Sequence, residues 1–197
     1  MGQTPSQAAV EECFEVWLNE RNAAAGRHLF PHVCSSLQTI RDTFPNACVG
    51  AITNGRGNPL DIEPLQPYFE FCVSGEDDGV FPARKPHPGI YEAALYPHHD
   101  KDTHAWIHVG DCLANDVGAS VACGAAAVWL SEDDIDEQES STTMDQPSWS
   151  TASAQDVQER CRLARQSQKD VSVRIANLAE LPAAIEQVLQ GAPVMRQ

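Results

Sequence analysis

The chain has 197 residues, of which 42% are hydrophobic, a size and composition that fit one compact α/β domain with some sequence left for tails and insertions. Its 13 basic and 28 acidic residues give a net charge of -15, which repels nucleic acid and anionic membrane surfaces. A phosphorylated ligand would therefore need local compensation from a divalent cation, a well-placed basic side chain or backbone N–H groups.

Seven cysteines are scattered singly along the sequence without any C-x-x-C pair, so neither a disulfide framework nor a structural zinc site is predicted. The first residues show no basic stretch followed by an apolar run, and no uninterrupted apolar segment reaches the length of a membrane span. We therefore expect a cytoplasmic protein with reduced thiols and no membrane partner.

The first two predicted elements are helices. The first runs from about Ser6, its N-cap, to Ala25, and the second from Val33 to Thr43, ending before Pro45. Apolar residues recur at helical spacing in both. They are Val10, Phe14, Trp17 and Leu18 in the first helix and Leu37 and Ile40 in the second.

Four short apolar runs follow, each ending in a polar or glycine-containing loop. Such runs are typical of buried parallel strands, and helical stretches separate most of them. Strands that alternate with helices predict a doubly wound parallel α/β sheet with its site at the carboxyl ends of the strands. The runs cover residues 48–52, 69–73, 106–109 and 125–130, and a helix is predicted from Ile90 to Leu95.

Residues 132–170 interrupt this order with an acidic, Ser/Thr/Gln-rich insertion that is too polar to offset the entropy of ordering. We predict that it is disordered, apart from a solvated helix from Ala154 to Gln168. A last edge strand, 171–175, and a closing helix, 178–189, complete the predicted core.

Three loops carry side chains suited to phosphate chemistry. Thr53-Asn54-Gly55 offers a hydroxyl and consecutive backbone N–H groups to a phosphoryl oxygen, although the same residues also suit an ordinary turn. Lys85, held by the prolines that follow it, would present a compact positive charge, although a surface lysine on a rigid turn would look the same. Asp111 and Asp116 flank a strand-to-helix turn and suit Mg²⁺, with Asp116 either supporting Asp111 or capping the helix.

In this order, each at the end of a strand, these loops resemble the second, third and fourth motifs of the haloacid-dehalogenase-like (HAD) hydrolases. The resemblance runs from about Phe30 to Leu130 and resumes near Ile175. It implies a phosphatase-like, Mg²⁺-dependent transfer in which an aspartate attacks phosphorus. Thr53, Asn54 and Gly55 would bind the phosphoryl oxygens, Lys85 would neutralise the developing charge, and Asp111 with Asp116 would hold the metal.

The family's nucleophile comes from an Asp-x-Asp motif after its first, central strand, and no such motif precedes Thr53 here. Asp134-Ile135-Asp136 and Asp100-Lys101-Asp102 are possible substitutes, but both sit in polar segments and are more typical of solvated loops. We therefore expect a sheet that lacks its central strand and most of the family's cap, with a gap between the strands that lead to Thr53 and Asp111 and with unpaired edges.

The resemblance divides the chain into four parts. Residues 1–29 are interpreted as a remnant of a helical cap with its return helix, 30–131 as the HAD-like core, 132–170 as the insertion, and 171–191 as the closing strand and helix. The oligomeric state and the identity of the substrate, a small phosphorylated molecule, are left open.

Three functional interpretations follow. The first is a phosphatase-like hydrolase that is active only in a complete form. The second is a non-catalytic module or partner subunit that binds phosphate and Mg²⁺ without turnover. The third, a family member that cleaves a carbon–halogen bond without a metal, is disfavoured because Asp111 and Asp116 would repel each other without a cation.

Several other residues carry weaker functional signals. His98, His99 and His104 cluster in a polar turn but match no compact metal-ligand spacing. Arg56 and Arg84 are candidates for substrate contact because they neighbour the motifs, although both rank below Lys85. Trp106, His108 and Trp129 are predicted to belong to the core.

Overall fold

The computed structural model describes residues 4–97, 105–131 and 154–191, and its elements follow the predicted alternation of helices and parallel strands. In chain order they are α1 (Gln7–Arg27), α2 (Val33–Thr43), β1 (Gly50–Thr53), β2 (Phe71–Ser74), α3 (Pro88–Leu95), β3 (Ile107–Gly110), a π-helix (Leu113–Gly118) continuing as α4 (Ala119–Ala122), β4 (Ala126–Leu130), α5 (Ala154–Ser167), β5 (Val171–Ile175) and α6 (Leu181–Gly191). None of the helices in these ranges combines the length and apolar character that crossing a bilayer requires.

The strands form two parallel sheets, one with the order β1-β2 and the other with the order β3-β4-β5. Within the described ranges no strand lies between β1 and β3, so the α/β sheet is interrupted where the gap was predicted. The interruption shows in the burial of the strands. No residue of β1 is buried, although we expected a buried strand there, whereas the three middle residues of β4 are all buried.

The larger sheet carries the core because β4 has a strand on each side and a helical layer on each face. Alternate residues of a strand point to opposite faces, and β4 accordingly divides its side chains between two apolar clusters. One contains Ile40, Val128, Ile175, Leu181 and Ala184, and the other contains Leu113, Val117, Ala127 and Trp129. The result is a helix–sheet–helix arrangement that fixes the carboxyl ends of β3 and β4.

Helix α5 belongs to this packing, although we expected it to be solvated. Ala164 packs against the cluster formed by the π-helix and β4. Ser167 is buried, and its Oγ lies so close to the backbone of Gly118 that a Cβ there would be 1.9 Å away. The polar sequence of α5 did not predict this contact, because the contact is made by small residues rather than by a wide apolar stripe. Residues 132–153, the rest of the predicted insertion, lie outside the described ranges.

Helix α1 begins as predicted, with Ser6 Oγ accepting a hydrogen bond of 3.2 Å from the backbone N–H of Ala9. None of its residues is buried, although apolar residues recur along it at helical spacing. It instead lies along the segment that follows β1, where Gly26 approaches Ile62 and Pro64.

All seven cysteines fall within the described ranges and are free thiols in the structure.

Candidate functional site

The loop after β1 is joined to the lysine loop by the side chain of Asn54. Its Nδ2 donates to the carbonyl of Lys85 over 2.9 Å, and its Oδ1 accepts from the backbone N–H of Lys85 over 2.6 Å. Two of the three predicted motif loops are therefore in direct contact. Because Asn54 uses its carboxamide for this contact, its main effect is to position Lys85.

Thr53 lies beside this junction at the end of β1. Its Oγ1 accepts a hydrogen bond of 3.2 Å from Gly55 N. The neighbouring strand fixes the turn, since the buried hydroxyl of Ser74 donates to the carbonyl of Gly55 over 2.9 Å and Gly75 N donates to the carbonyl of Thr53 over 2.8 Å. Ser74 was not among the predicted site residues. The clue was its place at the end of β2, in register with Thr53.

Lys85 connects the first two loops to the third. Its Nζ lies 2.7 Å from Oδ1 of Asp116, and both side chains are largely buried. An ammonium group has three protons to donate, and one of them is directed at Asp116. The remaining donors leave Lys85 able to bind a phosphoryl oxygen while it keeps this ion pair.

Asp116 sits inside the π-helix, which begins at Leu113 rather than at Asp116, so the residue does not cap the helix. Its Oδ2 accepts a hydrogen bond of 3.0 Å from Cys112 N. Burial by itself would raise the pKa of this carboxyl, but His108, Lys85 and the Cys112 amide together hold the pKa below its ordinary value. Asp116 is therefore an anion in the folded protein at neutral pH.

The close approach of Asp116 to β3 explains the glycine at position 110. A Cβ on Gly110 would lie 2.3 Å from Cβ of Asp116, and real side chains do not approach each other so closely. Gly110 thus allows the carboxylate to fold back over the end of β3 toward Lys85.

His108 is buried, as predicted, but it is also part of the site. Its Nε2 lies 3.6 Å from Asp116 Oδ1, and this buried nitrogen has no hydrogen-bond partner within the described ranges. The rings of Tyr91 and Trp106 meet it edge to face. Sequence reasoning assigned His108 to the core alone, because apolar neighbours on both sides make it look like any other strand residue.

Asp111 is exposed at the turn after β3, and its carbonyl accepts a hydrogen bond of 3.0 Å from Trp129 Nε1. The described part of the chain contains no cluster of three or more His, Cys, Asp or Glu side chains that could enclose a metal ion. Asp116 is engaged by Lys85, so Asp111 offers the more available carboxylate. Mg²⁺ is commonly bound by one carboxylate and several waters. Asp111 could supply that carboxylate, whereas the carboxylate of Asp116 is already paired with Lys85.

The two arginines that neighbour the motifs differ in their contacts. The guanidinium of Arg84 forms an ion pair with Glu76 and lies 5.7 Å from the ring centroid of Phe81. Arg56 lies 5.5 Å from the ring centroid of Phe14 on α1. The substitute nucleophiles and the histidine cluster considered above lie outside the described ranges. They are Asp100, Asp102, Asp134, Asp136, His98, His99 and His104.

The sequence and the fold of this chain are similar to those of known proteins. Residues 82–159 match the family model described as HAD-hydrolase-like. A solved 2-haloacid dehalogenase from Pseudomonas syringae is 25% identical with a TM-score of 0.54, and the match covers 81% of this chain and 54% of that protein. No curated protein sequence matches.

Two further solved structures share the fold. One is a HAD phosphatase from Thermococcus onnurineus, with 20% identity, a TM-score of 0.56 and coverage of 85% of this chain and 64% of that one. The other is an uncharacterised protein from Listeria monocytogenes, with 17% identity, a TM-score of 0.54 and 82% coverage of both chains. The chain therefore spans only about half to two thirds of the length of the first two proteins.

Proposed function

We propose that this chain, which resembles the HAD-like hydrolases, forms the phosphate- and Mg²⁺-binding part of a phosphomonoester phosphatase that acts on a small phosphorylated molecule in the cytoplasm. The observation that carries the proposal is the contact of all three motif loops through Lys85, which meets Asn54 through its backbone and Asp116 through its ammonium group. An ordinary surface lysine would have no reason to be held in this way.

Each residue has a definite role in this proposal. The Thr53 hydroxyl and the backbone N–H of Asn54 donate hydrogen bonds to phosphoryl oxygens, and Lys85 neutralises the charge that develops on them. The Gly55 N–H, which donates to Thr53 Oγ1 in this structure, joins them by exchanging that partner for a phosphoryl oxygen. Asp111 would hold Mg²⁺, which when bound polarises the phosphoryl group. Asp116 holds the ammonium group of Lys85 in place through their ion pair. The proposed cytoplasmic setting is supported by the seven free thiols.

The alternative is a module that binds phosphate and Mg²⁺ without turnover. It is favoured by one specific observation, since no Asp-x-Asp motif precedes Thr53 in the 197 residues. The two functions share the binding residues and differ in whether a nucleophile reaches the phosphorus atom.

Turnover of p-nitrophenyl phosphate with Mg²⁺ separates them. We would compare the 197-residue chain, a longer polypeptide in which an Asp-x-Asp motif precedes Thr53, and the Asp111→Ala and Asp78→Ala variants of that longer polypeptide. Asp78→Ala removes an exposed carboxylate elsewhere and serves as the control. Turnover by the longer form alone, lost in Asp111→Ala and kept in Asp78→Ala, is the expected result for a phosphatase.

Binding of phosphate by all forms with turnover by none supports the non-catalytic module instead. If phosphate fails to bind even the longer form, and Lys85→Ala changes nothing, both functions are wrong.

A further inference from the structure

The side of the site next to Asn54 carries an exposed aromatic surface that the proposed chemistry does not use. On α1, Phe14 is 41% exposed and Trp17 is 55% exposed, and their ring centroids lie 5.6 Å apart. Aromatic rings of this size are usually covered, because leaving them in water is unfavourable. Two such rings side by side therefore suggest a contact surface.

Two arginines lie on these rings. The guanidinium carbon of Arg21 is 5.7 Å from the ring centroid of Trp17, and that of Arg56 is 5.5 Å from the ring centroid of Phe14. We refer to Phe14, Trp17, Arg21 and Arg56 as the aromatic rim. Neither arginine forms an ion pair with another described residue, in contrast to Arg84, whose charge is balanced by Glu76. The rim thus holds two guanidinium groups without an ion-pair partner among the described residues, in a chain of net charge -15.

The rim lies along the segment that follows the Thr53-Asn54 loop. Contacts between α1 and the segment after β1 follow one direction, because Phe14 meets Arg56, Arg21 approaches Gly57, and Gly26 approaches Ile62 and Pro64. Arg56 itself is only two residues beyond Asn54. A group that is attached to a phosphate at Thr53 and extends toward Arg56 would therefore meet the rim.

We propose that the aromatic rim binds the leaving group of the substrate and that this group contains an aromatic ring. The proposal rests on the proposed function, because it takes the phosphoryl position at Thr53 and Lys85 as given. Trp17 offers its ring face for stacking, and the guanidinium planes of Arg21 and Arg56 stack on rings as well as attract negative charge. An aliphatic phosphate would gain little from such a surface.

A matched pair of ligands that cannot be hydrolysed tests the rim separately from the phosphoryl position. Methylphosphonate and phenylphosphonate share the head group and differ by the ring, and their dissociation constants with Mg²⁺ can be measured by calorimetry. We expect phenylphosphonate to bind about fivefold more tightly, as one or two exposed ring contacts would give. Trp17→Ala and Arg56→Met should each reduce this ratio to about twofold or less. Tyr96→Ala removes an exposed ring at the far end of α3 and should leave the ratio unchanged.

The possible failures are distinguishable. If methylphosphonate binds and Lys85→Ala abolishes that binding, but the phenyl and methyl ligands bind equally, the rim proposal is wrong and the proposed function stands. If neither ligand binds, the proposed function fails and the rim proposal falls with it. If Trp17→Ala changes the sedimentation of the protein but not the ligand ratio, the rim is a protein interface, which overturns the proposal.

Discussion

Among single residues, Asp116 makes the contacts on which the geometry of the site depends. It is buried, accepts from the Cys112 amide, pairs with Lys85 and lies beside His108. A buried carboxylate is stable only while its partners remain in place. Substitutions around Asp116 should therefore affect stability as well as ligand binding.

We expect Gly110→Ala to destabilise the folded protein by about 2 kcal/mol. The new Cβ would lie 2.3 Å from Cβ of Asp116, and that atom cannot move aside by a change of side-chain rotamer. The free energy of unfolding in urea measures this effect. Gly191→Ala is the matched control, since a Cβ there would meet no atom within 4 Å. Equal stabilities for the two variants would contradict the described packing of Asp116 against β3.

The lowered pKa of Asp116 predicts how stability depends on pH. A carboxyl whose pKa is lower in the folded state stabilises that state above its unfolded pKa of about 3.9, and the contribution is lost as the pH falls toward the folded value. In metal-free buffer, Asp116→Asn should be about 2 kcal/mol less stable than the parent chain at pH 7, because Lys85 loses its counter-charge. The difference should persist down to about pH 5 and shrink below about pH 4.

Urea unfolding across this pH range provides the measurement, with Asp78→Asn as the control for an exposed carboxylate. A difference that is constant down to pH 3 would mean that Asp116 is not held as an anion by its partners.

At this scale the sequence predicted that the three loops share one edge of the sheet, but not the contacts that join them. Thr53 and Asp116 stood out because they lie at the ends of apolar runs, and the carboxyl ends of parallel strands share one edge. Lys85 stood out because prolines hold its loop. The use of the Asn54 carboxamide to hold Lys85, and the presence of His108 beside Asp116, depend on side-chain directions that spacing alone does not give.

Among the elements, α5 shows how a polar helix can still belong to a core. It packs against the π-helix where Ser167 faces Gly118, and each position leaves almost no room for a larger neighbour. The helix is thus held by shape rather than by a broad apolar stripe.

This contact predicts a compensating pair of substitutions. Gly118→Ala should destabilise the protein by about 2 kcal/mol because its Cβ would overlap Ser167 Oγ. Adding Ser167→Gly removes the overlapping atoms and should recover part of that loss. Unfolding of the two single variants and the double variant forms a cycle that measures the coupling. Strictly additive effects would show that α5 does not pack on Gly118.

Element boundaries and element burial were not equally predictable. Helix α2 and strand β5 have the predicted bounds, because a following proline or flanking polar residues delimit them. The exposure of α1 and the ordered packing of α5 were missed. The number of apolar residues in a helix says little about burial when the neighbouring layer is absent or is made of small side chains.

At the scale of the whole molecule, the interruption between β1 and β3 divides the chain into a well-packed part and a less protected part. Strand β4 is paired on both sides, whereas the described residues pair β1 only with β2. We predict that backbone amides of β1 exchange with solvent much faster than those of β4, as measured by hydrogen exchange with NMR detection. Equal protection of Ile52 and Val128 would mean that another segment covers the free edge of β1.

The fold class and the position of the interruption were predictable because the four apolar runs and their loops appear in a fixed order along the sequence. The burial of β1 was not predictable, because the burial of a strand depends on partners that its own residues do not specify. Ala51 and Ile52 look like core residues in the sequence but are only partly buried.

The bridge formed by Asn54, Lys85 and Asp116 has one further consequence. Asn54 follows β1 of one sheet, and Asp116 follows β3 of the other, so neither sheet holds all of these residues. The proposed phosphate site therefore depends on assembly, because its charge and hydrogen-bonding pattern exist only while both halves are folded and in contact. A change that merely separates the halves would abolish the proposed phosphate binding while leaving each half's secondary structure intact.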